Sequence, residues 1–298
     1  MMDAPRDGAC WAFIRGSLEL FLYGWYPEPE RWRVNLTFIL FGAAVFGALR
    51  ENIPGKKYWL IFAAVFPFLA AWLLFGGFGL EPVPTGKLGG ILLTLVVAVT
   101  GISFSLPLGI ALALGRRSRL PVLRAICVIF IEFIRGVPLI TLLFVASTML
   151  TYFLPPGSSF DLLMRVLIMV TLFAAAYIAE VVRGGLQGLS SGQYEAADAL
   201  GLTYWQSHRL IILPQALKIS IPGIVNTFIG SYKDSVLVLI IGMMDILGLG
   251  RARLNDPDWL GLAPELYIFI SLFFFVSCFA MARYSLSLEK KLETGHQS

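Results

Sequence analysis

Residues 190–222 read SSGQYEAADALGLTYWQSHRLIILPQALKISIP, a polar stretch set between two strongly apolar ones. Ser190-x-x-Gln193 and Thr203-x-x-Gln206 both have capping-box spacing, which predicts two short helices starting near Gly192 and Tyr204. Gly201 separates them. On the first helix Ala197 and Gly201 stand four residues apart with Ala196 beside them, so one face lacks side-chain bulk and lets another protein surface come close. Pro214 and Pro222 are expected to stop or bend the chain as it re-enters an apolar run. Such a turn lying against a membrane suits a docking lever. On spacing alone, an ordinary loop with two incidental helices reads equally well.

The flanks place this stretch in a bilayer. Of 298 residues, 57% are hydrophobic and 14% charged, and the mean hydropathy is +0.78, too apolar for a soluble domain of this size. Seven runs approach or exceed the roughly 20 residues that cross a membrane: 34–49, 58–80, 88–114, 122–153, 162–189, 217–241 and 266–286. The fourth and fifth are longer than a span needs, which predicts tilt, a kink or extension beyond the bilayer. Residues 1–33 carry Arg15 and Glu19 inside an aromatic stretch and read as an amphipathic segment on the membrane surface. Cys127 and Cys278 fall within apolar runs and read as small buried hydrophobes.

Charge sets the orientation. If the polar stretch after Leu114 is inside, that side collects Arg50, Lys56, Lys57, Arg116, Arg117, Arg119, Arg124, Arg183, Arg209, Lys218, Arg283, Lys290 and Lys291. The outside keeps Lys87, Arg165, Arg251 and Arg253, so the 190–216 loop and the C-terminus are expected in the cytoplasm. Seven crossings then leave residues 1–33 outside, against the pull of Arg31 and Arg33; a further span upstream, making eight, would remove that conflict.

The order of residues in the opening stretch is more specific than its physics. Glu195-Ala196-Ala197, three residues, Gly201, nine residues, Ile211, one residue, then Leu213-Pro214 resembles the EAA signature of the membrane subunits of ABC importers. AYIAEVVRGGLQGLSSGQYEAADALG (176–201), LPQALKISIPGIVNTFIGSYKDSVL (213–237) and IEFIRGVPLIT (131–141) resemble the polar amino acid branch of that family. The likeness runs from about Lys87 to Glu289. It implies an all-α type I transmembrane domain of about five core helices over 87–289, containing a cytoplasmic coupling loop at 190–216. A transmembrane hairpin (34–81) precedes the domain and a cytoplasmic tail (290–298) follows it. The implied partners are a separate ABC ATPase in two copies, a second permease chain (related, or an identical copy) and an extracytoplasmic amino acid binding protein. Gln193, Glu195, Ala196, Ala197, Gly201, Leu213 and Pro214 would then couple the chain to the ATPase. The implied location is a bacterial inner membrane.

Ionisable residues inside spans are costly and default to being functional or paired. Glu132 and Arg135, and Glu180 and Arg183, each lie three apart and can neutralise one another along a helix face. Asn226 and Lys233 are two turns apart and share a face; with Asp234 they offer both charge signs that an amino acid's carboxylate and ammonium require. A lysine and aspartate satisfying each other, or facing neighbouring helices, is the competing reading. Ser235 continues that segment, where many members of the resembled branch have Thr-Ser, which leaves fine substrate preference open. Gly101, Gly109 and Gly115, with Ser103 and Ser105, give the helix after Leu88 a small-residue side for close packing. The arginines from 116 to 124 read as a topology anchor or as a docking surface. Asp245 to Trp259 reads as an outer loop, solvated or meeting a binding protein.

No GxxxxGK[ST] loop, HExxH motif or nucleophile elbow occurs, and no cofactor or metal is implied. The sequence thus predicts a polytopic helical permease subunit of an ATP-driven amino acid importer, with hydrolysis on a partner chain. An ion-coupled secondary transporter acting without an ATPase is the alternative; it predicts inverted repeats and a midplane carboxylate relay.

Overall fold

The computed structural model describes residues 10–50, 53–153, 155 and 160–294. Two short helices, α1 (Ala12–Gly16) and α2 (Leu18–Tyr23), precede a hairpin of α3 (Arg31–Leu49) and α4 (Lys56–Phe75). Then come α5 (Gly90–Arg116), α6 (Pro121–Gly136) and α7 (Leu139–Phe144), which a π-helical turn (Val145–Met149) joins to α8 (Leu150–Phe153). Helix α9 (Leu162–Gln187) leads into α10 (Ser191–Ala199) and α11 (Tyr204–Ser207). Helix α12 (Leu213–Asp234) follows, extended by a 3-10 segment (Ser235–Ile241), before α13 (Ile246–Arg253) and α14 (Ala263–Thr294). Among the described residues six helices are long and apolar enough to cross a membrane, or seven if the bent pair α6 and 139–149 counts as one span.

The fourth apolar run is therefore broken rather than straight: its two halves meet at 103°. Pro138 is the cause. Its ring disfavours the α region for the residue before it, and Val137 is extended at φ −110°, ψ 132°. By contrast, Pro222 does not stop its helix but lies within α12, and Pro214 follows a π-helical turn, 208–212, at the start of α12.

The central contact is α5 on α9. Gly101, Ser105 and Gly109 are buried four residues apart on α5, facing Val170, Ala175 and Ile178. A Cβ at Gly109 would stand 2.6 Å from Ile178 Cγ2 and 2.9 Å from the Ala175 carbonyl, so only glycine permits this approach. Val97, Val166, Val170, Leu143 and Val238 fill the core at one end of the pair, and Ala113, Ile131, Val182, Leu186 and Ile212 at the other.

Residues 1–9 of the N-terminal segment lie outside the described residues; the rest packs on the bundle. Phe13 and Phe21 are fully buried; Phe13 meets Trp259 edge-on at 5.6 Å and Phe21 stacks on Phe269 at 5.5 Å, docking α1 and α2 against α14. The arginines that conflict with the charge asymmetry are engaged in folding. Arg33 is buried, with Nε 2.6 Å from Glu30 and Nη1 donating to the Glu81 carbonyl at 2.7 Å. Arg31 pairs with Glu19 at 3.1 Å and Glu28 at 3.6 Å.

Candidate coupling site

Helix α10 ends in a glycine-dependent turn. Gly201 has φ +66°. Its N–H donates to the Asp198 carbonyl (2.9 Å) while the Leu202 N–H donates to that of Ala197 (3.2 Å), the paired bonds of a Schellman motif. A Cβ at Gly201 would meet nothing within 4 Å, so glycine is there for its conformation and not for space inside this chain. Ala197 is fully buried. It therefore faces this chain's own interior, whereas the small-residue spacing placed it on the outward face; Glu195, Ala196, Asp198, Ala199, Leu200 and Gly201 are exposed around it.

Only one of the two capping boxes forms as its spacing predicts. Gln206 Oε1 accepts from the Thr203 N–H (2.9 Å) and hydroxyl (2.8 Å) at the start of α11. At Ser190 no side-chain cap is made. Gln193 instead accepts from Gln215 Nε2 at 2.9 Å, and the same amide donates to the Ile211 carbonyl at 3.1 Å, tying α10 to the start of α12. Tyr194 ties it to α9 by donating to the Leu186 carbonyl (3.1 Å). Sequence spacing points to neither Gln215 nor Tyr194. Leu213 is half-buried and Pro214 exposed.

From Tyr204 to Ile241 the chain is one helical rod of 38 residues, about 57 Å at 1.5 Å per residue. It contains a π-helical turn, His208–Ile212, where α11 passes into α12. The outer surface of the turn and rod base is apolar: Leu200 and Trp205 are each 71% exposed, Leu210 64%. Further along the same rod stand Asn226 and Lys233, both exposed, and Asp234, half-buried. Among the described residues Lys233 and Asp234 make no direct ion pair with one another. Ser235 departs from the expected lining. It is fully buried and its hydroxyl donates to the Tyr232 carbonyl at 2.7 Å.

The charged residues at the loop end of α5, α6 and α9 form a network across helices. Arg183 pairs with Glu180 as its i, i+3 spacing predicts. Glu132 and Arg135 do not pair with each other: Glu132 accepts from Arg116 at 2.8 Å, and Arg135 lies 3.7 Å from Glu180. Arg116 also reaches Glu180 at 3.3 Å. Packing of α6 against α5 and α9 brings stronger partners to Glu132 than its own helix offers.

Residues 105–294 match the family of binding-protein-dependent transport system inner membrane components. The chain is 49% identical to an inner membrane amino-acid ABC transporter permease protein, YhdY, of Escherichia coli K12, over 98% of this chain and 80% of that one. It is 45% identical to the glutamate/glutamine/aspartate/asparagine transport system permease protein BztC of Rhodobacter capsulatus, over 97% and 80%. A crystal structure of an amino acid ABC transporter with histidines superposes on 68% of this chain and 92% of its own, with a TM-score of 0.60 at 27% identity. A polytopic helical chain with this core and this family match is a membrane-spanning transport subunit, and it belongs to the inner membrane components of binding-protein-dependent transport systems.

Proposed function

We propose that the chain is the permease subunit of an ATP-driven importer of amino acids, polar or general L-amino acids being the substrate class, and that α10–α11 is the element through which a separate ATPase moves it. The observation that carries this is the uninterrupted rod 204–241. It joins an exposed apolar knob (Leu200, Trp205, Leu210) to the polar positions Asn226, Lys233 and Asp234 within the span. Exposed apolar side chains at a loop that leaves the membrane mark a protein contact. The names borne by the relatives at 49% and 45% identity support the substrate class.

In this reading the coupling loop and the C-terminus lie in the cytoplasm, with thirteen basic residues on that side against four outside. The loop residues Glu195, Ala196 and Gly201 face the ATPase, while Gln193, Ala197, Leu213 and Pro214 set the posture of α10 and the rod. Residues 87–289 form the transmembrane domain and 34–81 an accessory hairpin. Because one loop engages one ATPase, two permease chains pair with two ATPases, the second chain a related subunit. A binding protein delivers substrate at the opposite face.

Purification of the tagged chain tests this. An ATPase should accompany it, and hydrolysis should rise when a loaded binding protein is added. Uptake driven by an ion gradient without ATP would overturn the reading.

A further inference from the structure

At the coupling-loop end of the spans four arginines from neighbouring elements border one cavity of about 510 Å³. Arg116 closes α5, Arg117 follows it, Arg124 stands on the second turn of α6 and Arg183 on the last turns of α9; Val128 and Gln187 complete the described wall. No carboxylate is among these lining residues. Nearby there are two. Glu132 pairs with Arg116, while Glu180 is already shared among Arg116, Arg135 and Arg183. Arg117 has an uncharged partner: it donates to Tyr194 Oη at 3.1 Å and lies over that ring at 5.5 Å.

Counting Arg135, which is off the wall but shares Glu180, five guanidiniums meet two carboxylates, a formal excess of three positive charges at and beside the cavity. Like charges held together at a membrane boundary raise the energy of the empty site, and an anion relieves it. The guanidinium fork matches a phosphate's oxygens two at a time, which a single carboxylate shared three ways does not supply.

We propose that this cavity binds a phosphate group, held by Arg116, Arg117, Arg124 and Arg183. Two sources carry that chemistry. One is the headgroup of an anionic phospholipid, whose acyl chains would lie along the exposed apolar face of α6 at Ile126 and Ile129, 60% and 68% exposed. The other is a soluble phosphate entering from water. Either way, the ligand competes with Tyr194 for Arg117. Occupancy therefore bears on how tightly α10 is held to the bundle, since Tyr194 is the residue that ties α10 to α9.

The test uses the full chain with the subunits that co-purify with it. In one arm the detergent-solubilised complex is offered phosphatidylglycerol and phosphatidylcholine in equal amounts, and retained lipid is counted by native mass spectrometry. In the other, inorganic phosphate is titrated calorimetrically without lipid. R124Q and R117Q are compared with R119Q, which removes a cation from the same loop but not from the cavity wall. Selective retention of phosphatidylglycerol identifies a lipid site, and saturable uptake of phosphate a soluble one. In whichever arm responds, R124Q should weaken binding about fivefold while R119Q leaves it unchanged. Arg124 is exposed and lacks an ion pair among the described residues, so its loss should not shift thermal unfolding. Failure of both arms, or equal loss in R119Q and R124Q, would overturn the proposal.

Discussion

Ala197 and Gly201 stand four residues apart, yet they ask for opposite things. Ala197 is sealed inside the chain, so a larger side chain there must push α10 away from the π-helical turn beneath it. Overpacking of this kind costs about 1–3 kcal/mol. Gly201 has open space and a left-handed backbone, so an alanine costs about 1–2 kcal/mol of local conformation and no packing. Ala197→Leu should therefore lower the unfolding temperature of the purified chain, while at Gly201 alanine and leucine should lower it by equal amounts, because only the backbone is strained there. Changes at both positions should weaken ATPase co-purification. An unfolding temperature unchanged by Ala197→Leu would show that Ala197 is not a packing residue.

Asp245 is a second residue whose environment dictates a measurement. Gly90, at φ +62°, donates its N–H to the Met244 carbonyl at 3.0 Å, and the Ile246 N–H reaches Thr94 Oγ1 at 3.4 Å, so the start of α13 is stitched to α5. Asp245 caps α13 through Gly248 N–H at 2.8 Å, but its Oδ2 is buried with no partner. Burial pushes the carboxyl up to about 6, against backbone hydrogen bonds that pull it down. Between the usual carboxylate range and about 6 the folded chain binds more protons than the unfolded one, so this group's contribution to stability is full at low pH and is lost as pH rises through about 6. Ionising so strongly perturbed a carboxyl inside the fold costs about 3 kcal/mol. Asp245→Asn keeps an acceptor for the Gly248 amide and carries no charge. It should unfold at a higher temperature than the parent chain at about pH 7.5, with the margin shrinking toward pH 4. A margin that persists in acid would refute the assignment.

Among elements, the rod from α11 through α12 transmits motion only if it is stiff. Its base is held by Gln215 to α10, and its shaft passes Gly185 of α9 so closely that a Cβ there would stand 2.5 Å from the Ala216 carbonyl. Arg209 and Lys218 are exposed positions on it. Replacing both with glycine softens the helix by about 1 kcal/mol each without opening a cavity. Such a chain should still co-purify with the ATPase, yet hydrolysis should no longer respond to loaded binding protein. A normal response would mean that force reaches the span by another route, α9 being the alternative.

Element boundaries show what a single chain of letters conveys. The broken fourth run was legible as excess length, and Val137-Pro138 states where it breaks. The rod was not, because Pro214 and Pro222 argue locally for interruption; the helix reaches Pro214 through a π-helical turn and continues through Pro222. The arginine network was half legible. An i, i+3 rule sees Glu180 with Arg183 but is blind to Arg116, which arrives from a helix 64 positions away.

For the whole molecule, the outward aspect of α12 is decisive. Asn226 and Lys233 lie on one face and are exposed, although both belong to a span. A lysine facing hydrocarbon costs about 3 kcal/mol, so this face needs water, a counter-charge or another protein against it. One chain alone does not enclose it, whereas two permease chains meeting there would form a polar path with cationic and acidic groups on its wall. The 190–216 loop was readable from sequence because its pattern is contiguous; this face was readable only as a two-turn spacing, since nothing else in the letters marks which side of α12 is left uncovered. Lys233→Ala should cut the uptake rate at least tenfold in a reconstituted importer while leaving ATPase association and unfolding temperature intact. Lys233→Arg, which keeps the charge, should retain much of the rate. If alanine and arginine transport every amino acid tested alike, with kinetics unchanged from the parent, the exposed face of α12 is not the path and Lys233 serves assembly alone.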